Sequence, residues 1–395
     1  MLLARHFSST RLIRSFNAAA VLQTLYRHGS CSRSQLARLT GMSPATITRI
    51  VTELLEQGIV QEGRHGKSTG GRKPVYLHID YSKLFIVSVQ LLRDDSRVAL
   101  IDLDGRILLK RKLSPSSLAP HGLLSEVTEM IETLLEESPI NREHILGVGV
   151  AISGVVDSER GVMIKSVNLG WENVPVAQIL NDALDLPVYV ENDANASALA
   201  EFWFGHSRDT DSSMYIKTET GAGIGIILGK TLVSGPHWMA GEIGHVPLIP
   251  NGHACRCGQK GCLETYVYIN DVLDRYWKQT ERGINKQQFV QLAKRQDHTA
   301  KQLLNETAEV LSEAVCLWGI LLDLDVIIIG GFWGQFDKEI IERIRQQYLH
   351  ILEKTGIHRD ITITSSSLGE DNDLLGAAGL VIHRWFTPLE LPLNG

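Results

Sequence analysis

The chain has 395 residues, of which 44% are hydrophobic and 21% charged, and a net charge of −6. That length calls for two or three domains of ordinary globular composition. No apolar run approaches the ~18 residues of a membrane span, so membrane insertion is not expected and the chain reads as cytoplasmic.

The charge is unevenly placed. Residues 1–80 hold eleven Lys/Arg against four acids, a net +7, which leaves −13 for the remainder. A basic head on an acidic body is the layout expected when only the head meets nucleic acid. The first fifteen residues contain Arg and Ser but no acid. They read as a flexible basic arm, with a targeting leader as the alternative.

Residues 17–28 read as a helix with Ala20, Val21 and Leu25 on its apolar face. Ser32 is placed to cap a second helix over 33–39, and Gly41 stands where a helix ends in a left-handed residue. Ser43 then caps a third helix that has Pro44 at its first position. Ile47, Ile50, Val51, Leu54 and Leu55 form one buried stripe of that helix. The opposite face carries Ala45, Thr46, Thr48 and Arg49, small or polar except for an arginine long enough to reach a phosphate or a guanine edge. This is the helix-turn-helix plan. Ile59-Val60 and Val75–Ile79 flank a Gly-rich basic segment, 63–74, and read as a β-hairpin wing. The DNA-contacting candidates are Arg33, Ser43, Ala45, Thr46, Thr48 and Arg49, with Arg64, Lys67, Arg72 and Lys73 from the wing.

Beyond Asp80 strands alternate with helices. Segments 84–89, 98–102 and 107–109 form a meander with a turn signal at Asp104-Gly105. A helix over 121–137 and strands at 146–152 and 188–190 follow. The pattern then repeats loosely: strands at 213–217 and 225–228, a helix near 301–322, a strand at 326–329, a helix near 335–353, a strand at 361–364 and a last helix from about 373. Two similar halves of this kind predict a two-lobed α/β fold with a cleft between the lobes.

Five cysteines are present, and Cys255, Cys257 and Cys262 lie within eight residues. A disulfide framework is unexpected here, and clustered thiols read first as metal ligands. With His245 they make a complete tetrahedral set for Zn²⁺ with no open position, which predicts a structural metal. Cys31 and Cys316 read as isolated thiols. Glu191-Asn192-Asp193 follows a strand and opens a helix, Glu242 precedes His245 by three residues, and Glu264 follows Cys262 by two. Carboxylates and amides so gathered at a cleft suit vicinal hydroxyls.

The body resembles the ROK family of repressors, open reading frames and kinases, and with its head the chain resembles the NagC/Mlc type of repressor. The resemblance extends from Asn17–Leu22 and the Gly70-Gly71-Arg72-Lys73-Pro74 wing through the Cys255–Cys262 loop to the C-terminal helix. It implies an α/β chain of three parts. A winged helix-turn-helix over 1–80 precedes a two-lobed actin/hexokinase-like (ribonuclease H-like) domain. The first lobe spans 81–192, joined by the C-terminal helix at about 373–388, and the second spans 193–372 with the zinc loop at 245–262. It also implies sugar contacts at Asn168, Asn192, Asp193, Glu242, His245 and Glu264. In the family's kinases the aspartate matching Asp193 takes the proton from the attacked hydroxyl.

Those kinases carry Asp-x-Gly-Gly-Thr at the first hairpin, where this chain has Gln90-Leu91-Leu92-Arg93-Asp94. The glycines that let backbone N–H groups approach phosphates are gone, side chains are expected to fill the space, and Asp193 is left as a vestigial base. Other Gly-rich stretches, 220–225, 330–331 and 376–378, fit tight packing as well as nucleotide binding. The expectation is a homodimeric or tetrameric repressor, binding operator DNA and answering to a sugar or sugar phosphate. Two alternatives stand beside it: a sugar kinase with a fused DNA-binding head, and a repressor controlled by a transport-system protein.

Overall fold

The computed structural model describes residues 9–65, 74–219, 221–356 and 359–386. The head begins with α1 (Ser9–His28), followed by β1 (Cys31–Ser32), α2 (Arg33–Thr40), α3 (Pro44–Glu56), β2 (Val60–His65) and β3 (Val75–Ile79). Helix α1 starts at Ser9 and not at 17, so residues 9–16 continue a helix and are no flexible arm. Ser32 and Gln35 form a reciprocal capping box on α2, Gly41 ends it at φ 70°, and Ser43 caps α3 ahead of Pro44. Ile47, Ile50, Val51 and Leu54 are buried against Val21, Leu25 and Leu36. The unforeseen strand β1 joins β3 and β2 in a three-stranded antiparallel sheet. Lys67, Arg72 and Lys73, at the tip of the expected wing, lie outside the described residues.

The first lobe contains β4 (Phe85–Leu91), β5 (Ser96–Asp102), β6 (Ile107–Leu113), α4 (Pro120–Glu136), β7 (Ile145–Ile152), β8 (Val155–Asp157), β9 (Val162–Ser166), β10 (Trp171–Val174), α5 (Val176–Leu184) and β11 (Val188–Asn192). Helix α6 (Asp193–Phe204) leads to the second lobe: β12 (Ser213–Lys217), β13 (Gly223–Leu228), β14 (Thr231–Leu232), α7 (Glu264–Val267), α8 (Ile269–Thr280), α9 (Lys286–Lys294), α10 (His298–Leu322), β15 (Val326–Ile329), α11 (Glu342–Thr355), β16 (Thr362–Ser365) and finally α12 (Asn372–Phe386).

The repeat expected from the sequence is a topological one. The first sheet runs β11-β7-β4-β5-β6 and the second β14-β13-β12-β15-β16. Each is an antiparallel three-strand meander to which two parallel strands are added beside the meander's first strand. A small antiparallel sheet, β10-β9-β8, interrupts the first lobe and had no counterpart in the sequence reading.

Helices α6 and α12 pack on each other between the two main sheets, α12 against β4 and β7 and α6 against β12 and β13. Glycine makes this stack possible. A Cβ on Gly149 of β7 would lie 1.9 Å from the carbonyl of Ala377, and one on Gly376 of α12 would lie 2.3 Å from that of Ala196. Gly225 of β13 meets the Ala194 carbonyl at 2.3 Å in the same way. Any side chain at these points would force the layers apart. Two of the Gly-rich stretches are thereby explained by packing.

The head is not hung on a linker; it shares a core with the body. Tyr26 of α1 donates to the carbonyl oxygen of Leu103 at 2.8 Å. Its ring packs edge-on to Trp203 at the end of α6, with centroids 5.5 Å apart, and lies 5.4 Å from Phe386 at the end of α12. Trp203 and Phe386 stack on each other, and the Arg208 guanidinium covers the Tyr26 ring at 5.6 Å. No described helix is long and apolar enough to cross a membrane.

Candidate functional site

The exposed face of α3 is small and polar, as its sequence requires. Ser43, Ala45, Thr48 and Arg49 are exposed and Thr46 is half-buried. Part of this polarity is spent locally: Ser43 Oγ accepts from the Thr46 backbone, and the Thr48 hydroxyl donates to the Pro44 carbonyl. Arg49 therefore carries the reach of this face. Arg33 is ion-paired with Glu62 of β2 at 3.1 Å, which turns it toward the wing. Arg64 lies at the end of β2.

The thiols and imidazole come together. The ligand atoms of His245, Cys255, Cys257 and Cys262 all lie within 4.8 Å of one another. Cys257 and Cys262 are separated by 3.6 Å between sulfurs, and Cys255 Sγ lies 3.6 Å from His245 Nδ1. Zn–S bonds of ~2.3 Å in a tetrahedron put sulfurs about 3.8 Å apart, so the donor set and its spacing fit zinc. The loop turns by an amide of Gly258 donating to the Cys255 carbonyl, and Gly261 (φ 77°) passes so close to Ile249 that a Cβ would lie 1.8 Å from its carbonyl oxygen. Cys31 and Cys316 are buried and stand apart from this cluster.

All six residues read as sugar contacts line one cavity of about 610 Å³ between the lobes: Asn168, Asn192, Asp193, Glu242, His245 and Glu264. Each arrives by a different route. Asn192 ends β11 and caps α6, its Oδ1 accepting from the Ala194 and Asn195 amides, while its Nδ2 donates to the Gly154 carbonyl at 2.9 Å. Asp193 is the first residue of α6. Asn168 sits on the turn after β9 and donates to Ser153 Oγ at 3.1 Å. The metal loop sets down His245, and Glu264 opens α7 just beyond it.

Glu264 accepts from Arg256, whose Nε is 2.9 Å away and whose guanidinium stacks over the Tyr268 ring at 5.3 Å. The Glu242 carboxyl is pushed up to about 7 by burial in the cavity wall and then by the Asp193 and Glu264 carboxylates. One side of Glu242 stays open to the cavity's water, which limits the energy that shift represents.

Lining residues that sequence reasoning passed over are Ser153, Lys165, Lys217 and Arg256. Lys165 comes from β9 of the small sheet that the sequence did not reveal, and Ser153 from the bend that leads from β7 into it. Arg256 was visible only as the spacer of Cys-x-Cys. Lys217 ends an apolar strand, where a lysine ordinarily turns to solvent. The segment Gln90–Asp94 also differs from expectation. Gln90 and Leu91 are buried, but Arg93 and Asp94 are exposed in the hairpin turn because the turn projects beyond the sheet. Gln90 Nε2 donates to Asp373 at 2.5 Å.

Comparison with known proteins agrees with this architecture. The MarR family model matches residues 17–65. The xylose repressor of Caldicellulosiruptor bescii is 28% identical, with 94% of this chain and 96% of that protein covered. The DNA-binding transcriptional dual regulator NagC of Escherichia coli K12 is 24% identical, covering 94% and 93%. Among solved structures, a ROK family transcriptional regulator homologous to the E. coli MLC protein superposes with TM-score 0.84 at 26% identity, covering 95% of this chain and 97% of that one. A ROK family glucokinase from Streptomyces griseus, in complex with glucose and AMPPNP, reaches TM-score 0.65 at 25% identity and covers 75% of this chain and 98% of its own. The ROK family model spans residues 86–384, and from the two matched lobes to the metal loop this chain belongs to the ROK family.

Proposed function

We propose that this protein is an operator-binding repressor whose DNA affinity is set by a sugar or sugar phosphate held in the interlobe cavity, and that it does not phosphorylate that ligand. The observation that carries the reading is the position of α6. Its cap Asn192 and first residue Asp193 belong to the cavity, and Phe202 and Trp203 in its last turn pack beneath the DNA-binding head. A helix of twelve residues spans about 18 Å. A ligand that draws the lobes together shifts that rod, and with it Tyr26 and α3. The relatives named as repressors for xylose and N-acetylglucosamine support a saccharide as the ligand. Cys255, Cys257, Cys262 and His245 would hold zinc, which would fix the His245 imidazole and leave its second ring nitrogen for a ligand hydroxyl. Two heads on a homodimer or tetramer would read a palindrome.

The test is a gel-shift on operator fragments with a panel of pentoses, hexoses, amino sugars and their 6-phosphates. One of them is expected to lower operator affinity by about 5–150-fold, the range of ordinary allosteric coupling. Arg49→Ala is the DNA control and is expected to weaken binding by ~1–3 kcal/mol. An operator affinity indifferent to every sugar removes the effector reading, and sugar-dependent ADP release from ATP establishes the kinase alternative in its place.

Glu242 makes the affinity for sugar pH-dependent. Below about pH 7 its carboxyl holds a proton, and above it the carboxylate is the stronger acceptor for a sugar hydroxyl. Effector affinity is therefore expected to rise from about pH 6 to about pH 8, and Glu242→Gln to flatten that rise. Calorimetric titrations at the two pH values decide it; equal slopes in both proteins remove Glu242 from the contacts.

A further inference from the structure

The floor of the cavity holds a lysine for which the family resemblance gave no role. Lys217, the last residue of β12, has a side chain only 4% exposed, and it lines the cavity beside Asp193. Its ammonium donates to Asp373 Oδ1 at the start of α12 and lies 3.6 Å from Asp193 Oδ2. Asp373 collects three elements at once: Ser197 of α6 donates to Oδ1 at 2.8 Å, Gln90 of β4 to Oδ2 at 2.5 Å, and Lys217 of β12 completes the set. The network thus ties the first sheet, both central helices and the second sheet at the point where the lobes meet.

A buried ion pair of this kind is a weak source of stability, since apolar replacements of similar volume are often as good or better. Burial by itself would strip the Lys217 proton. The Asp373 and Asp193 carboxylates outweigh it and hold the ammonium charged, above the ordinary lysine range. That charge acts back on Asp193. A base in phosphoryl transfer must take up the hydroxyl proton, and a cation 3.6 Å away opposes that step while favouring a carboxylate that only accepts a hydrogen bond.

We propose that Lys217 is a positioning residue of the effector site: its ammonium, bound between Asp193 and Asp373, keeps Asp193 as a fixed hydrogen-bond acceptor for a sugar hydroxyl, disarms it as a base and clamps the two lobes at the cleft floor. The proposal rests on the reading of the cavity as a saccharide site. It goes beyond that reading in assigning the loss of chemistry to a resident cation as well as to the altered hairpin.

The test uses the full chain with Lys217→Met and the double variant Lys217→Met, Asp373→Asn, which restores neutrality at Asp373. The charged groups facing the lysine are Asp193 from α6, Asp373 from α12, and Glu219 just beyond β12. With the ammonium gone, these carboxylates repel one another only when ionised. The melting temperature of Lys217→Met is therefore expected to fall further below that of the parent as pH rises from about 5 to about 8, and the double variant to recover most of the deficit. A packing role would give the same deficit at every pH, and that outcome overturns the proposal without reference to any sugar. In calorimetric titrations with xylose, N-acetylglucosamine and its 6-phosphate, the folded double variant is expected to bind at least about 10-fold more weakly than the parent. Unchanged affinity in the double variant also overturns the proposal. If the parent binds none of the three, and none of the wider sugar panel, the saccharide reading fails while the pH arm still decides the role of the cation.

Discussion

Cys262→Ser is expected to abolish metal binding and to destabilise the second lobe. Cys262 is fully buried, its sulfur lies 3.6 Å from that of Cys257, and it also reaches the His245 carbonyl. A hydroxyl in its place offers a harder, poorly ionised donor and breaks a closed tetrahedron. The loss in affinity should exceed the ~10–100-fold that removing even a supporting hydrogen bond produces. The consequence is not confined to the loop. Leu263, Tyr266 and Val267 follow directly and are buried in the core of the second lobe, and the Leu263 and Glu264 amides donate to carbonyls on the His245 side of the loop. Without metal, those segments lose the crosslink that registers them. A destabilisation on the order of several kcal/mol is expected, below the ~10–16 kcal/mol of a zinc-dependent finger peptide because this lobe has a core of its own. Metal content by atomic emission and the midpoint of thermal unfolding measure both effects. A variant that retains a full equivalent of metal would refute the ligand set.

Trp203→Ala is expected to separate sugar binding from DNA release. Trp203 sits between Tyr26 of the head and Phe386 of α12, buried on all sides. Truncating it costs ~3–5 kcal/mol of stability through lost burial and a cavity. The larger effect is functional: α6 loses the Trp203–Tyr26 contact and keeps only Phe202 against α1, so movement at Asp193 loses most of its lever on the head. Effector affinity should stay within about threefold of the parent, since Trp203 does not line the cavity, while the effector-induced drop in operator affinity shrinks toward none. Linked titrations of sugar and operator on the same folded preparation read both. A variant that releases DNA as fully as the parent would place the coupling elsewhere. Tyr26→Phe is the second change to try, because the Tyr26 hydroxyl donates to the Leu103 backbone carbonyl and so ties the head to the turn after β5.

The two experiments probe opposite ends of one assembly. The metal loop positions His245 and Glu264 at the cavity, and α6 carries Asp193 from the cavity to the head. Lys217 stands between them, joined through Asp373 to the helix that Trp203 also touches. The cavity lining is thus linked, through Lys217, Asp373 and Gln90, to both sheets and both central helices.

The sequence by itself determined the elements whose signals are local. Ser32, Gly41, Ser43 and Pro44 bounded the head's helices because caps and left-handed turns depend on the residues beside them. The Cys255–Cys262 spacing announced the gathering of three thiols beside His245, because a loop of that size closes within eight residues. The doubled meander was legible from strand periodicity. Tertiary structure alone decided the rest. It folded residues 9–16 into α1, raised the small sheet whose Val155 and Lys165 line the cavity, and docked Tyr26 on Trp203. It also buried Lys217, whose position at the end of an apolar strand gave no hint of its neighbours. Its partners are residues 193 and 373, on two helices, and electrostatic pairing across such separations leaves no periodic trace along the chain. Local backbone preference acts over a few residues and is written in order. A charge network acts through space, and it exists only once the layers that carry it have packed.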